Sequence, residues 1–147
     1  MNDLIHCIYA SAATAKYQQA SMEALMIRAR QSNAELGISG MLLYAGDSFF
    51  QVLEGPQAAV VATYERILLD PRHRQITKVI QEPIFRRGFA SWSMGLAMLT
   101  QAELEAIAGI NDFFQGGSCL VGIEDGRAKK LLRAFSEGRW RASLSGA

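Results

Sequence analysis

Two apolar runs, Ile38–Tyr44 and Ser48–Glu54, are separated only by Ala45-Gly46-Asp47, the turn composition of a β-hairpin. The middle of the chain must therefore fold as an antiparallel pair, and the rest has to pack around it. Before the hairpin, Leu4–Ala10 reads as a strand ended by the small stretch Ser11-Ala12-Ala13-Thr14. A helix follows, with Ser21 as N-cap, Met22, Leu25, Met26, Ala29, Asn33 and Leu36 at helical spacing, and Gly37 as its stop. After the hairpin, Gly55-Pro56 opens a second helix, on which Val60, Thr63, Ile67 and Asp70 share a face and which Pro71 ends. Ile76–Ile84 and about residues 90–99 are two further strands, divided by Phe85-Arg86-Arg87-Gly88. The order βαββαββ packs most simply as an α+β, ferredoxin-like βαββαβ(β) sandwich with two helices on one sheet face.

Beyond it, Thr100 and Glu103 have capping-box spacing for a short helix that Gly109 stops, Gly116-Gly117 marks a loop, and a last helix runs from about Asp125 to Glu137. These two helices are expected to cover the second sheet face, where Ile8, Phe50 and Val52 point. With 147 residues, 50% of them apolar, the chain can bury a core as one compact unit. A formal net charge of +1 gives no global field to draw in nucleic acid or an anionic membrane. Arg127, Lys129, Lys130, Arg133, Arg139 and Arg141 make the last segment locally basic, which reads as a solvated helix face. Cys7 and Cys119, with His6 and His73, make neither a disulfide framework nor a metal-ligand spacing. No basic n-region and no membrane-length apolar run is visible, so a soluble chain in a reducing cytoplasm is expected.

In such a sandwich the first strand lies antiparallel beside the third. Ile5, Cys7 and Tyr9 share one side of the first; Phe49, Gln51 and Leu53 share one side of the third. If both sides face the helices, Tyr9 and Gln51 meet under the stripe that carries Asn33. An unsatisfied buried amide costs roughly 1–3 kcal/mol, so this cluster must be internally paired or bound to something. Arg66 and Asp70, at i and i+4, would flank the same cleft. A planar ligand rich in donors and acceptors would satisfy all five. Taken singly, each has an ordinary alternative: a packed tyrosine ring, a solvated asparagine, an exposed ion pair. His6 reads as an outward strand residue and His73 as a helix-end residue, and neither has a nucleophile beside it, so no enzymatic centre is expected.

The set Ile8-Tyr9-Ala10-Ser11, Asn33, Gly37-Ile38-Ser39-Gly40-Met41-Leu42-Leu43-Tyr44 and Phe50-Gln51-Val52-Leu53-Glu54-Gly55 resembles the BLUF family of flavin-binding blue-light sensors, in its short stand-alone form. The resemblance continues through Tyr64, Arg66, Asp70-Pro71-Arg72-His73 and Ser91-Trp92-Ser93-Met94-Gly95, covering Leu4 to about Met98. It implies a ferredoxin-like core over residues 1–99 holding a flavin, usually FAD, with FMN or riboflavin as alternatives, between the first two helices. Residues 100–147 would form a helical extension. The resemblance further implies that Tyr9 gives an electron to the excited flavin. Gln51 would bridge the Tyr9 hydroxyl to the ring, Asn33 hold the ring's polar edge, and Arg66 and Asp70 contact the flavin from the second helix. Ser32 departs from the larger polar residue that many relatives carry before the asparagine. Trp92 and Met94 match the strand segment that passes the signal on, through a hydrogen-bond rearrangement of Gln51 by rotation or tautomerisation. Since residues 100–147 read only as helices, output is expected to reach a separate protein partner or a second copy of the chain. The rival readings are a flavin or nucleotide binder without photochemistry and a small ferredoxin-like hydrolase, whose anion-binding catalytic loop is not visible.

Overall fold

The computed structural model describes residues 3–45, 48–90 and 92–100. Along the chain these form β1 (Leu4–Ala13), α1 (Gln19–Leu36), β2 (Ser39–Ala45), β3 (Ser48–Pro56), α2 (Gln57–Ile67), β4 (His73–Pro83) and β5 (Gly95–Leu99). The hairpin forms as its sequence requires: β2 and β3 pair antiparallel from Ala45 opposite Ser48 to Ser39 opposite Glu54. Its turn residues 46 and 47 lie outside the described residues, as do the two C-terminal helices expected within 101–147. The sheet order is β4-β1-β3-β2-β5. The first four strands have the ferredoxin-like arrangement, with β1 antiparallel to both β3 and β4, and β5 adds to the free side of β2 in parallel.

Several boundaries differ from the sequence reading. β1 does not stop at Ala10 but runs on to Ala13, because Ser11 and Ala12 pair with Phe49 and Ser48 on one side while Ala12 and Ala13 pair with Arg74 and His73 on the other. Pairing on both flanks outweighs the weak strand preference of these small residues. α1 starts ahead of Ser21: Gln18 is the N-cap in extended conformation, and its carbonyl already accepts from Met22 N at 3.0 Å. Ser21 therefore sits inside the first turn. Gly37 does end the helix, at φ 72°, where Gly37 N donates to Ala34 O and Ile38 N to Asn33 O, the double bond of a Schellman stop. Pro56 is the N-cap of α2 and the last residue of β3, one position earlier than a first-turn proline. β4 starts at His73, three residues before Ile76. The last strand is confined to Gly95–Leu99, because residues ahead of it turn instead: Trp92 N donates to Phe89 O, and Trp92 O accepts from Gly40 N at 3.1 Å.

Alternation then decides what each face carries. Ile5, Cys7, Tyr9, Phe49 and Leu53 form one buried cluster with Met22 and Met26 of α1 and Val60 and Tyr64 of α2, so both helices lie on that face. On the other face Ile8, Phe50 and Val52 are fully buried as well. His6, expected to point outward, is buried there, its Nε2 3.0 Å from Glu82 Oε1. Close approach of β2 to β3 depends on Gly40, at φ 155°, where an added Cβ would lie 1.9 Å from Val52 O. Among the described residues no helix is long and apolar enough to cross a membrane.

Candidate functional site

Between the two helices and the sheet lies a cavity of about 160 Å³. Tyr9, Leu42, Phe49 and Gln51 form its floor, Met22, Met26 and Asn33 its α1 wall, and Thr63 and Ile67 its α2 wall. Asp70, Arg72 and His73, from the turn into β4, complete it. Apolar walls with a few polar groups gathered on the floor are what a flat heterocycle with one polar edge needs.

β1 and β3 set Tyr9 and Gln51 opposite each other in register, on the helix side of the sheet. The Tyr9 hydroxyl donates to Gln51 Oε1, and both residues are buried. Burial, reinforced by the neighbouring Cys7, Asp70 and Tyr64, pushes the Tyr9 phenol well above the usual tyrosine range. It is thus held as a neutral proton donor. A carboxamide has two N–H bonds; Gln51 Nε2 spends one on Met94 Sδ at 3.3 Å. Asn33, also buried, donates from Nδ2 to Ser93 O at 3.0 Å, while its Oδ1 has no hydrogen-bond partner among the described residues.

The structure brings together Tyr9, Gln51, Asn33, Asp70 and Met94. It does not bring Arg66 to Asp70: the Arg66 guanidinium turns back to Thr63 Oγ1 at 3.3 Å, and Arg66 is not part of the cavity wall. Asp70 is taken instead by Arg72, whose backbone N and Nη1 donate to its two oxygens at 2.9 and 2.6 Å. Of the two residues expected to flank the cleft, Asp70 lines it and Arg66 does not. Two residues apart across a turn, Arg72 also gains the backbone bond that a helix pair cannot offer. Ser32 does not line the cavity either. Trp92 is buried away from the helix-side cluster, its ring edge-on to Phe89 with centroids 6.2 Å apart.

Sequence reasoning passed over three residues that matter. His73 is not a helix-end residue but the first of β4, and it lines the cavity. Its Nδ1 is 2.8 Å from Ser11 Oγ, its Nε2 2.9 Å from Ile67 O, and its ring stands edge-on to Tyr9. Because a carbonyl can only accept, Nε2 carries a proton. Arg72 was visible only as part of Asp70-Pro71-Arg72-His73. Arg30 reaches from α1 to Met94 O at 2.8 Å, and no spacing rule connects those positions.

Comparison with known proteins gives three consistent findings. The family model described as "BLUF: Sensors of blue-light using FAD" matches residues 4–95. Photoactivated adenylate cyclase subunit beta of Euglena longa is 40% identical over 101 residues, covering 68% of this chain and 11% of the relative, so the chain spans about a tenth of that protein's length. Among solved structures, BlrB, a BLUF protein in its dark state, superposes with a TM-score of 0.71 at 34% identity, covering 92% of this chain and 98% of its own. BlsA in its ground state gives a TM-score of 0.75 at 27% identity, over 92% and 89% of the two chains.

Proposed function

The chain belongs to the BLUF family of blue-light sensors that use flavin, and we propose that Tyr9 and Gln51 form its photochemical relay, that Asn33 and Asp70 help hold the flavin, and that Met94 carries the response outward. The observation that bears this reading is the continuous line of contacts from the Tyr9 hydroxyl through the Gln51 amide to the Met94 sulfur. The bound flavin supplies absorption of blue light and an electron-accepting excited state, which no side chain offers.

The donor set suits it. Apolar Met22, Met26 and Ile67 flank the cavity, while the second N–H of Gln51 and the Asn33 carbonyl oxygen remain for a polar ring edge. With the flavin bound, Tyr9 would give it an electron and the proton on Oη, Gln51 relaying the proton, and on recombination both would return to Tyr9 and restore its hydroxyl. Rotation of the Gln51 amide, or its tautomerisation, then changes which atoms face each neighbour. After a half-turn, N–H faces Tyr9, whose hydroxyl must accept, and Oε1 faces Met94. Two acceptors then oppose each other, and the contact that held the sulfur is lost. The site stores the light signal in this exchange of partners, each buried hydrogen bond contributing about 1 kcal/mol. Arg66 stands outside the cavity and would take part only by swinging toward the turn at Asp70. Trp92, packed on Phe89, is linked to Met94 through the backbone.

The pigment we infer is FAD, with FMN and riboflavin distinguishable by mass after heat release. Output passes to a separate effector protein or to a second copy of the chain. An absorption spectrum before and after blue illumination tests the reading: a small reversible red shift is expected in the parent protein, and none in Tyr9→Phe or Gln51→Leu with flavin still bound. A full reversible shift in either variant would overturn the relay.

A further inference from the structure

Residues 93 and 94, which precede β5, are held by α1 at two successive carbonyls. Asn33 Nδ2 donates to Ser93 O at 3.0 Å, and Arg30 Nε donates to Met94 O at 2.8 Å. Arg30 and Asn33 are three apart on the helix and so share one face. Met94 is fully buried, and its sulfur meets Gln51 Nε2. Its backbone and its side chain are therefore held by two different elements, the carbonyl by Arg30 of α1 and the thioether by the β3 amide on which the relay depends.

The guanidinium is also incompletely used. Nη1 reaches Glu23 Oε2 only at 3.5 Å, and Nη2 is buried without a hydrogen-bond partner among the described residues. Buried polar groups are nearly always paired, and a charged fork usually engages its acceptors two at a time. A spare buried donor beside a backbone carbonyl offers a second seat for that carbonyl if the segment shifts. Among the described residues the one carboxylate of the cavity wall, Asp70, is already paired with Arg72.

We propose that Arg30 is a positioning residue for the light response: it fixes the Met94 carbonyl so that the Met94 sulfur lies against Gln51, and it regains that carbonyl when the dark arrangement returns. The proposal rests on the reading of Tyr9, Gln51 and Met94 above, and its test separates the two. In the flavin-loaded full chain, the Met94 methyl is labelled with 13C and its resonance assigned through Met94→Leu. Arg30→Ala is expected to shift or broaden that resonance in the dark, with the flavin spectrum and the light-driven red shift retained. Arg30→Lys, which keeps a cationic donor for one carbonyl, returns it toward the parent position, and Glu23→Gln leaves it unmoved. Return to the dark spectrum should slow by about ten- to a hundredfold in Arg30→Ala, the rate equivalent of one hydrogen bond to a charged donor, and by no additional factor in the Met94→Leu background. An unmoved dark resonance overturns the proposal. So does recovery that is unchanged or faster, or a full slowing that persists without Met94. If Arg30→Ala does not fold, Arg30→Gln takes its place with the same expectations. Should the parent show no red shift at all, the photochemical reading fails, and the dark resonance alone decides the role of Arg30.

Discussion

Cys7 lies two residues from Tyr9 on the same side of β1, and its buried environment has a measurable consequence of its own. Burial pushes its thiol up from 9.0 to about 11, partly opposed by the Lys78 ammonium. The folded chain therefore keeps a proton that the unfolded chain loses near 9.0, and between those values stability must fall as pH rises. Tyr9, raised for the same reason, adds to the loss from about pH 10 upward. Thermal melting followed from pH 8 upward should show this decline, and Cys7→Ala should begin it later; identical pH profiles for the two chains would contradict it. At this scale the site was legible where alternation and register alone bring side chains together. Tyr9, Gln51 and Asn33 belong to that class, since strand parity and helix periodicity fix their directions. Arg66 against Arg72 was not legible, because which arginine reaches Asp70 depends on how the chain turns after α2. Arg30 reaches the Met94 carbonyl and His73 the Ser11 hydroxyl, both far away in sequence, and no local pattern carries such information.

The segment between β4 and β5 shows how one element is tied to two others. Glu54, on the far side of β3 from Gln51, is buried, and its carboxylate accepts from Ser39 Oγ, Gly88 N and Phe89 N, each at 2.8 Å. Arg87 Nη1 adds bonds to Ser39 Oγ and the Glu54 carbonyl. This clasp holds the start of the segment, while Arg30 and Asn33 hold its end at Met94 and Ser93. Glu54→Gln keeps one acceptor oxygen but turns an N–H toward groups that are themselves donors. It should destabilise the chain by about 2–3 kcal/mol, read as a lower midpoint in urea with little change in the slope. A loss below measurement error would show that the clasp is dispensable. Up to Leu99, element existence and order were read correctly from composition and spacing, as was the stop of α1 at Gly37, whereas several other ends were not. β1 runs past Ala10 because partners on both sides recruit Ser11–Ala13. The final strand shortens to Gly95–Leu99 because Trp92 and Phe89 use their backbone groups in a turn instead.

Taken as a whole, the molecule is a sheet whose strands are unequally secured. β1 is flanked by β3 and β4, and β3 by β1 and β2, whereas β5 pairs only with β2 among the described residues. β1 spans ten residues and β5 five. Protection against amide exchange should therefore be deepest on β1 and shallowest on β5, with opening free energies graded in that order; equal protection on the two would refute this. The placement has a mechanical meaning. Met94, the residue against which Gln51 leans, immediately precedes Gly95, so a disturbance in the cavity arrives at the most compliant ribbon of the sheet. Among the described strands, a displaced Gly95–Leu99 gives up only its ladder to Met41–Ala45, and the register that sets Tyr9 opposite Gln51 is left intact.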